Sequence, residues 1–241
     1  MSLPRRVDLT PGYLLHHRPW RDSSRILEVL TREHGRLTLF ARGVRAPGAR
    51  LAPVLQPFQP LLLSWSGRGE APTFTGAERA GYCEPLPPAC LLPAFYLNEL
   101  LMRLTTRHDP HPPLFDRYHE TLARLRAGAP LEPALRIFEK RLLEAIGYGL
   151  NLATEAHSGT PIEAGGYYHF RAGQGLTPAR AGAAGALAGR SLVELSRESF
   201  EGARSLEDAR RLLQTALGAC LEGRPLATRA VAKSMRRKAA R

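Results

Sequence analysis

Hydrophobic and polar positions alternate with a period of two in both halves of the segment Asp22–Arg50, which predicts a β-hairpin. We expect strands over Arg25–Thr31 and Arg36–Arg42, with Gly35 supplying the positive φ of a short turn. One face of the second strand is apolar and suits a core, whereas the other carries guanidinium groups around an aromatic ring. The apolar face comprises Leu37, Leu39 and Ala41. The other face comprises Arg36, Thr38, Phe40 and Arg42.

Short alternating segments separated by Gly and Pro fill the rest of residues 1–82 and predict an all-β module. The further expected strands are Tyr13–His17, Pro60–Trp65 and Thr73–Glu78. Together with the hairpin they fit a small Greek-key barrel of the OB type, whose open face commonly binds single strands. An SH3-like barrel would give much the same pattern, so both architectures remain open from periodicity alone.

Beyond the proline-rich segment Pro85–Pro93 the periodicity becomes helical, except in the Gly- and Ala-rich residues 151–190. The expected helices are Phe95–Arg107, Pro113–Ala127, Pro133–Ile146, Ser191–Phe200 and Ser205–Leu221, with Ser205 and Asp208 as the start signal of the last. We therefore predict an α+β multidomain chain with an N-terminal β-barrel of the OB or SH3-like type, an α-helical bundle and a small C-terminal lobe. The predicted divisions are residues 1–82, 83–150, 151–190 and 191–241, the last being helices and a basic tail that pack on the helical domain.

The charge balance points to a polyanionic partner. The 241 residues contain 34 Lys and Arg against 22 Asp and Glu, a net charge of +12, and nucleic acid is the commonest partner of such a surface. No acidic residue occurs between Arg36 and Arg68, although five arginines do. The alternative is a half-buried Phe40 whose neighbouring arginines keep the strand soluble. The predicted nucleic-acid contacts are Arg36, Phe40, Arg42, Arg45, Arg50 and Arg68.

Two helical segments carry further charge patterns. Glu132, Arg136, Lys140 and Glu144 recur every four residues, which by itself indicates an ion-paired solvated face. The segment from Arg224 to the C-terminus has seven basic residues and no acidic one. Its cations on one helix face could add phosphate contacts, although such segments are more often frayed, soluble termini. These cations are Arg229, Lys233 and Arg236.

Sequence signatures of catalysis and metal binding are absent. The chain has no P-loop, no G-x-S-x-G elbow, no H-E-x-x-H and no C-x-x-C pair among its three cysteines. It also has neither an apolar run long enough to span a membrane nor an apolar signal-peptide core. We therefore expect a cytoplasmic binding protein without enzymatic activity, metal or cofactor.

Several segments together resemble the bacterial recombination mediator family RecO, and their order and spacing over most of the chain make the resemblance specific. They are RPWRDSSRILEVLTREHGRLTLFARGVR at 18–45, LQPFQPLLLSWSGRGE at 55–70, the pair Ala77-Glu78, FYLNELLMRL at 95–104, LFDRYHETLARL at 114–125, LRIFEKRLLEAIGYGLNL at 135–152 and GRPLATRAV at 223–231.

The resemblance implies an OB-fold, a helical bundle and a C-terminal lobe. It further implies binding of single- and double-stranded DNA, annealing of complementary strands without ATP, and cooperation with RecR in loading RecA onto DNA coated by single-strand-binding protein. Nucleoid association in the cytoplasm would follow. An RNA-binding OB-fold protein of translation or RNA processing is the alternative from the hairpin chemistry, because stacking and phosphate contacts also suit RNA.

The resemblance also implies a site for the acidic C-terminal tail of single-strand-binding protein on the helical domain. The segment LRIFEK places Arg136 and Lys140 there, with the guanidinium pairing the terminal carboxylate. Some members of the family hold zinc with cysteines in the region matching residues 151–180. This chain has only His157 and His169 there, so we expect it to resemble the zinc-free, proteobacterial-like branch.

Overall fold

The computed structural model describes residues 6–46, residue 49 and residues 51–239. Its β-strands are β1 (Arg6–Trp20), β2 (Ser24–Thr31), β3 (Gly35–Ala41), β4 (Leu61–Ser66), β5 (Thr73–Arg79), β6 (Tyr167–Arg171), β7 (Gly175–Pro178) and β8 (Leu187–Ala188). Its helices are α1 (Pro88–Leu104), α2 (Pro112–Arg126), α3 (Leu131–Ala145), α4 (Gly189–Arg197), α5 (Ala203–Cys220) and α6 (Ala227–Ala239).

The chain forms two compact units. The first runs to Ala127 and also contains the segment from Leu226 onward, and the second is Gly128–Pro225. Helices α1 and α2 therefore belong with the barrel and with α6, whereas α3 belongs with the small sheet, α4 and α5. The division of the sequence into four domains stays a prediction.

Strands β1 to β5 close into a barrel in the order β1-β2-β3-β5-β4, which confirms the predicted OB-type architecture. Buried and half-buried residues alternate along the whole of β3, which confirms the two faces predicted from the period of two in the sequence. The core cluster contains the three residues expected from that period together with Trp65 and Phe74 from β4 and β5. The closing pair is parallel and joins Phe40 to Thr73.

The turn between β2 and β3 depends on glycine for two reasons. Gly35 has a φ of +67°, and a Cβ built on it would lie 2.2 Å from the carbonyl oxygen of Asp109. The segment before α2 therefore packs directly against the turn, and the His108 amide donates a hydrogen bond of 2.9 Å to the Arg36 carbonyl. Any side chain at position 35 would push this segment away.

Helix α1 begins at Pro88, seven residues earlier than Phe95, where the sequence pattern places it. Proline is tolerated in the first turn of a helix because the amides there have no intrahelical partner, so the proline-rich segment enters the helix. Asn98 of α1 then ties this helix to the barrel. Its Nδ2 donates to the Leu15 carbonyl at 2.8 Å, and the Tyr118 hydroxyl donates to its Oδ1 at 2.6 Å.

In the second unit, β6 pairs with both β7 and β8, and α5 packs against α3 and α4. The predicted start signal of α5 is wrong, because the helix begins at Ala203 and Asp208 lies inside it. The Asp208 carboxylate is 1% exposed and accepts hydrogen bonds from the Ser191 hydroxyl at 2.9 Å and the Ala188 amide at 3.1 Å. It therefore holds the beginning of α4 rather than that of α5.

Among residues 6–46, 49 and 51–239, no helix is both long enough and apolar enough to cross a bilayer.

Candidate nucleic-acid interface

The outer face of β1, β2 and β3 presents its side chains in rows that run across the strands. Arg18 pairs with Ile26, and Ile26 pairs with Phe40, so these three side chains form one row on the same face. Trp20 lies two residues beyond Arg18 in β1 and therefore points to this same face. The end of the sheet near Trp20 and Phe40 is thus lined by aromatic and basic side chains.

Each aromatic ring of this surface has a guanidinium group beside it. The Arg18 Cζ lies 5.9 Å from the ring centroid of Trp20, and the Arg42 Cζ lies 5.7 Å from that of Phe40. We call Arg18, Trp20, Phe40 and Arg42 the aromatic–arginine platform. Trp20 is 40% exposed, and neither arginine forms an ion pair with a carboxylate in the part of the chain that the structure describes. Both arginines are exposed, whereas Phe40 is half-buried.

Arg18 and Trp20 are not among the predicted contacts, because the predicted first strand ends at His17, before the run RPWR. The signal was present, since the period of two continues through this run and places Arg18 and Trp20 on one face. Because the predicted strand ends at His17, Arg18 and Trp20 were not assigned to a strand face. The observed β1 continues to Trp20, where it pairs with Ser24.

Arg45 extends the positive charge beyond the platform. Its backbone amide donates to the Ser23 carbonyl at 2.8 Å, and its Nη1 donates to the Arg21 carbonyl at 3.3 Å. The preceding Val44 is only 3% exposed and packs into the barrel core. These contacts hold the start of the loop after β3 against the β1–β2 turn, while the Arg45 side chain remains exposed.

Arg36 belongs to the same strand face but is engaged by protein groups. Its side chain is 11% exposed, and its Nη1 lies 3.1 Å from Glu28 Oε2. Its Nη2 donates to the Thr105 carbonyl at 2.7 Å, and its Nε donates to the Thr105 hydroxyl at 3.2 Å. Burial lowers the pKa of the Arg36 guanidinium, and the Glu28 carboxylate opposes that shift. The structure therefore places Arg36 among structural contacts, away from the open end of the sheet.

The last two predicted contacts are Arg50 and Arg68. Arg50 falls outside the described residues. Arg68 is exposed in the turn between β4 and β5, and this turn ends at Pro72, whose carbonyl accepts the Phe40 amide at 2.9 Å. The β4–β5 turn therefore borders the platform at Phe40.

The basic pair on α3 is buried rather than solvated. Arg136 Nη2 lies 3.0 Å from Glu139 Oε1, although the spacing of the sequence suggested pairing with Glu132. The Arg136 side chain is 6% exposed, and its Nε and Nη1 have no hydrogen-bond partner among the described residues. Buried donors without partners are costly, so a carboxylate brought to this position would gain charge-assisted hydrogen bonds.

Lys140 differs from Arg136 because acidic groups already surround it. Its Nζ lies 2.9 Å from Glu198 Oε1 and 3.2 Å from Glu144 Oε1. Burial would raise the pKa of the Glu198 carboxyl, but hydrogen bonds and charges from Lys140 and Arg141 lower it overall. Lys140 is therefore already neutralised in this unit.

No group of three or more His, Cys, Asp and Glu side chains is arranged to hold a metal ion in the part of the chain that the structure describes. The assignment to a zinc-free branch stays a prediction.

Comparison with known proteins identifies relatives over nearly the whole chain. The family model described as Recombination protein O N terminal matches residues 7–82, and that described as Recombination protein O C terminal matches residues 91–230. The DNA repair protein RecO of Methylococcus capsulatus is 46% identical over 231 residues, covering 96% of this chain and 95% of the relative. The protein of the same name from Nitrosococcus oceani is 42% identical, covering 96% of this chain and 95% of the relative. That from Azoarcus sp. strain BH72 is 38% identical, covering 98% of this chain and 99% of the relative.

Proposed function

Since the chain belongs to the recombination protein O family of DNA repair proteins, we propose that it acts in DNA repair and homologous recombination by binding DNA. The observation that carries this proposal is the aromatic–arginine platform on the barrel. We further propose that the protein works without catalysing a reaction and that its place is the cytoplasm, in association with the nucleoid.

The platform suits a single strand because it offers two kinds of contact at once. The rings of Trp20 and Phe40 stack with unpaired bases, and a base of any identity presents a π face. The guanidinium groups of Arg18, Arg42 and Arg45 contact the phosphates on either side. In this assignment Arg36 orders the sheet through Glu28 and Thr105, and Arg68 in the β4–β5 turn adds charge at the border of the platform. Arg50 stays a predicted contact.

Annealing without ATP follows from the same charges. Two strands repel each other through their phosphates, and a cationic surface that contacts both lowers the barrier to base pairing. If about five phosphates of a single strand are engaged, log affinity falls with log salt concentration at a slope of roughly −3.5, at about 0.7 per phosphate. An affinity that is independent of salt would contradict this electrostatic mechanism.

We propose Arg136 as the contact for the acidic C-terminal tail of single-strand-binding protein. Support comes from its buried Nε and Nη1 donors, which have no partner among the described residues, since a terminal carboxylate oxygen accepts a charge-assisted hydrogen bond from either. Lys140 contributes less than the sequence suggests, because Glu144 and Glu198 already neutralise it. Titration of a labelled tail peptide into wild type and Arg136→Ala tests this site, and unchanged affinity in the variant would contradict it.

This peptide site gives the protein access to DNA that single-strand-binding protein already covers. Together with RecR, the protein would then help RecA load onto that DNA. A reconstitution with all four proteins tests the step, and RecA loading that is indifferent to this protein would contradict it.

The experiment for the DNA-binding function compares wild type with Arg42→Glu/Arg45→Glu in binding a labelled oligonucleotide. Arg171→Glu/Arg180→Glu is the control matched in charge, because Arg171 and Arg180 are exposed and lie in the second unit. We expect the double variant to bind the oligonucleotide more weakly than wild type and the control to keep wild-type affinity, with native circular dichroism in both. Competition with RNA of the same sequence is included, and a decisive preference for RNA would favour the alternative of an RNA-binding OB-fold protein.

A further inference from the structure

Helix α6 is attached to the first unit by a carboxylate at its N-terminus. Glu99 of α1 accepts three hydrogen bonds, from the Ala227 amide at 2.8 Å, the Thr228 amide at 2.9 Å and the Thr228 hydroxyl at 2.7 Å. Glu99 is only 7% exposed. Since the first amides of a helix have no intrahelical partner and carry the positive end of its dipole, this carboxylate fixes where α6 starts and how it leaves α1.

The exposed side of α6 carries a row of cations. Arg229, Lys233 and Arg237 follow one another at intervals of four residues and are all exposed, so they lie along one stripe with a rise of roughly 6 Å between neighbours. None of the three forms an ion pair with a carboxylate within the described residues. The side chain of Arg236, which the sequence pattern placed with this group, lies outside the described residues.

Helix stability does not account for this row. Cations are favoured near the C-terminus of a helix, which suits Arg237, but Arg229 lies in the first turn, where the dipole disfavours it. The Arg229 Cζ lies instead 5.7 Å from the ring centroid of Tyr96 on α1. Tyr96 and Glu99 thus hold the beginning of α6 while its charges face solvent.

We propose that this stripe, comprising Arg229, Lys233 and Arg237, is a second nucleic-acid-binding surface that takes the phosphate backbone of a second strand. This proposal rests on the proposed function and deepens it, because annealing requires two strands to be held by one molecule. The stripe offers guanidinium and ammonium groups, which contact phosphates and carry no information about base sequence. The platform stacks the bases of one strand, and the stripe holds the other strand by its backbone.

Glu99 and Tyr96 act as positioning residues for this surface. Beyond the first turn of α6, Lys233 and Arg237 are exposed, and an isolated helix of this length is marginal in water. Loss of the Glu99 carboxylate therefore loosens the stripe without removing a cation. Binding of the second strand weakens, while stacking on the platform is unaffected.

The test measures how many strands one protein molecule holds. Two non-complementary oligonucleotides, one with a donor and one with an acceptor dye, are mixed with wild type, with Lys233→Glu/Arg237→Glu and with Trp20→Ala/Phe40→Ala. We expect energy transfer with wild type only. Each double variant is expected to bind a single strand, and the stripe variant to anneal complementary strands at least tenfold more slowly. Glu99→Gln should weaken capture of the second strand with all cations in place.

Arg171→Glu/Arg180→Glu is the control matched in charge, since both of these arginines are exposed in the second unit. Wild-type energy transfer in Lys233→Glu/Arg237→Glu would overturn the stripe and leave the proposed function standing. Absence of any DNA binding by wild type would overturn both. If the stripe variant instead lost binding to vesicles of anionic lipid while capture of the second strand was unchanged, α6 would be a membrane-binding helix and the proposal would be wrong.

Discussion

Glu28 and Arg36 meet diagonally across the β2–β3 pair, with Oε2 and Nη1 3.1 Å apart. The same Glu28 carboxylate accepts a hydrogen bond of 2.8 Å from the Thr38 hydroxyl and one of 2.7 Å from Arg107. One half of the outer face of the barrel is therefore neutralised and packed against the segment before α2. The other half has the exposed Arg18 and Arg42 beside Trp20 and the half-buried Phe40, and this is where we propose that a strand binds.

Arg36→Ala should act mainly on stability and Arg42→Ala mainly on binding. Removing the Arg36 guanidinium leaves Glu28 without its least exposed partner, so we expect a loss of about 2 kcal/mol in the free energy of unfolding. Arg42 is exposed, and its removal should change stability by less than about 0.5 kcal/mol. Urea denaturation monitored by circular dichroism measures both, and equal destabilisation of the two variants would contradict the assignment.

Arg42→Ala and Arg45→Ala should each make DNA binding less dependent on salt. Each arginine that contacts a phosphate contributes about 0.7 to the slope of log affinity against log salt concentration. The double variant should therefore have a slope shallower by roughly 1.4 than that of wild type. Fluorescence anisotropy at four or more salt concentrations provides the slopes. An unchanged slope with weaker binding would mean that these arginines act on the fold.

Gly35→Ala should destabilise the protein more than Gly43→Ala, although both glycines have a φ of +67°. A Cβ at Gly43 meets nothing within 4 Å, so the backbone conformation alone costs about 1 to 2 kcal/mol. A Cβ at Gly35 also collides with the Asp109 backbone and displaces the segment before α2. Thermal and urea unfolding of the two variants test the difference. Equal losses would show that this segment is not held against the turn.

The contribution of Glu99 should depend on pH. Burial works against ionisation of this carboxyl, but the hydrogen bonds from Thr228 and Ala227, with the charge of Arg103, lower its pKa below the usual value of 4.5. A lowered folded-state pKa adds stability that is fully present above 4.5 and is lost as the pH falls through the lower value. Wild type should thus exceed Glu99→Gln in stability at neutral pH, and the difference should shrink in that acidic range. A difference that is constant with pH would contradict the ionised clamp.

Local periodicity predicts the hairpin and the barrel well because each strand of the barrel has one buried face. The partners of particular side chains were harder to predict, since they come from other strands. The absence of acids between Arg36 and Arg68 suggested an uninterrupted basic surface, but Glu28 faces Thr38 from the neighbouring strand. The register of the hairpin predicts that Glu28 lies opposite Thr38 on this face.

Long-range contacts explain the other differences. Asp208 resembles a helix start signal in the sequence, yet it holds the start of α4, a contact that requires the fold to be known. Glu99 similarly caps a helix 128 residues away along the chain. The early start of α1 at Pro88 could have been predicted, because proline at a first helical turn is itself a start signal.

The most direct test of the central claim is the affinity of Trp20→Ala and Phe40→Ala for a short single-stranded oligonucleotide, measured across salt concentrations. If bases stack on these rings, each substitution weakens binding by about fivefold or more, since stacking contributes roughly 1 to 3 kcal/mol per base. The slope against salt stays that of wild type, because no charge is removed. Wild-type affinity in both variants, with native circular dichroism, would contradict the claim that this face of the barrel holds single-stranded DNA.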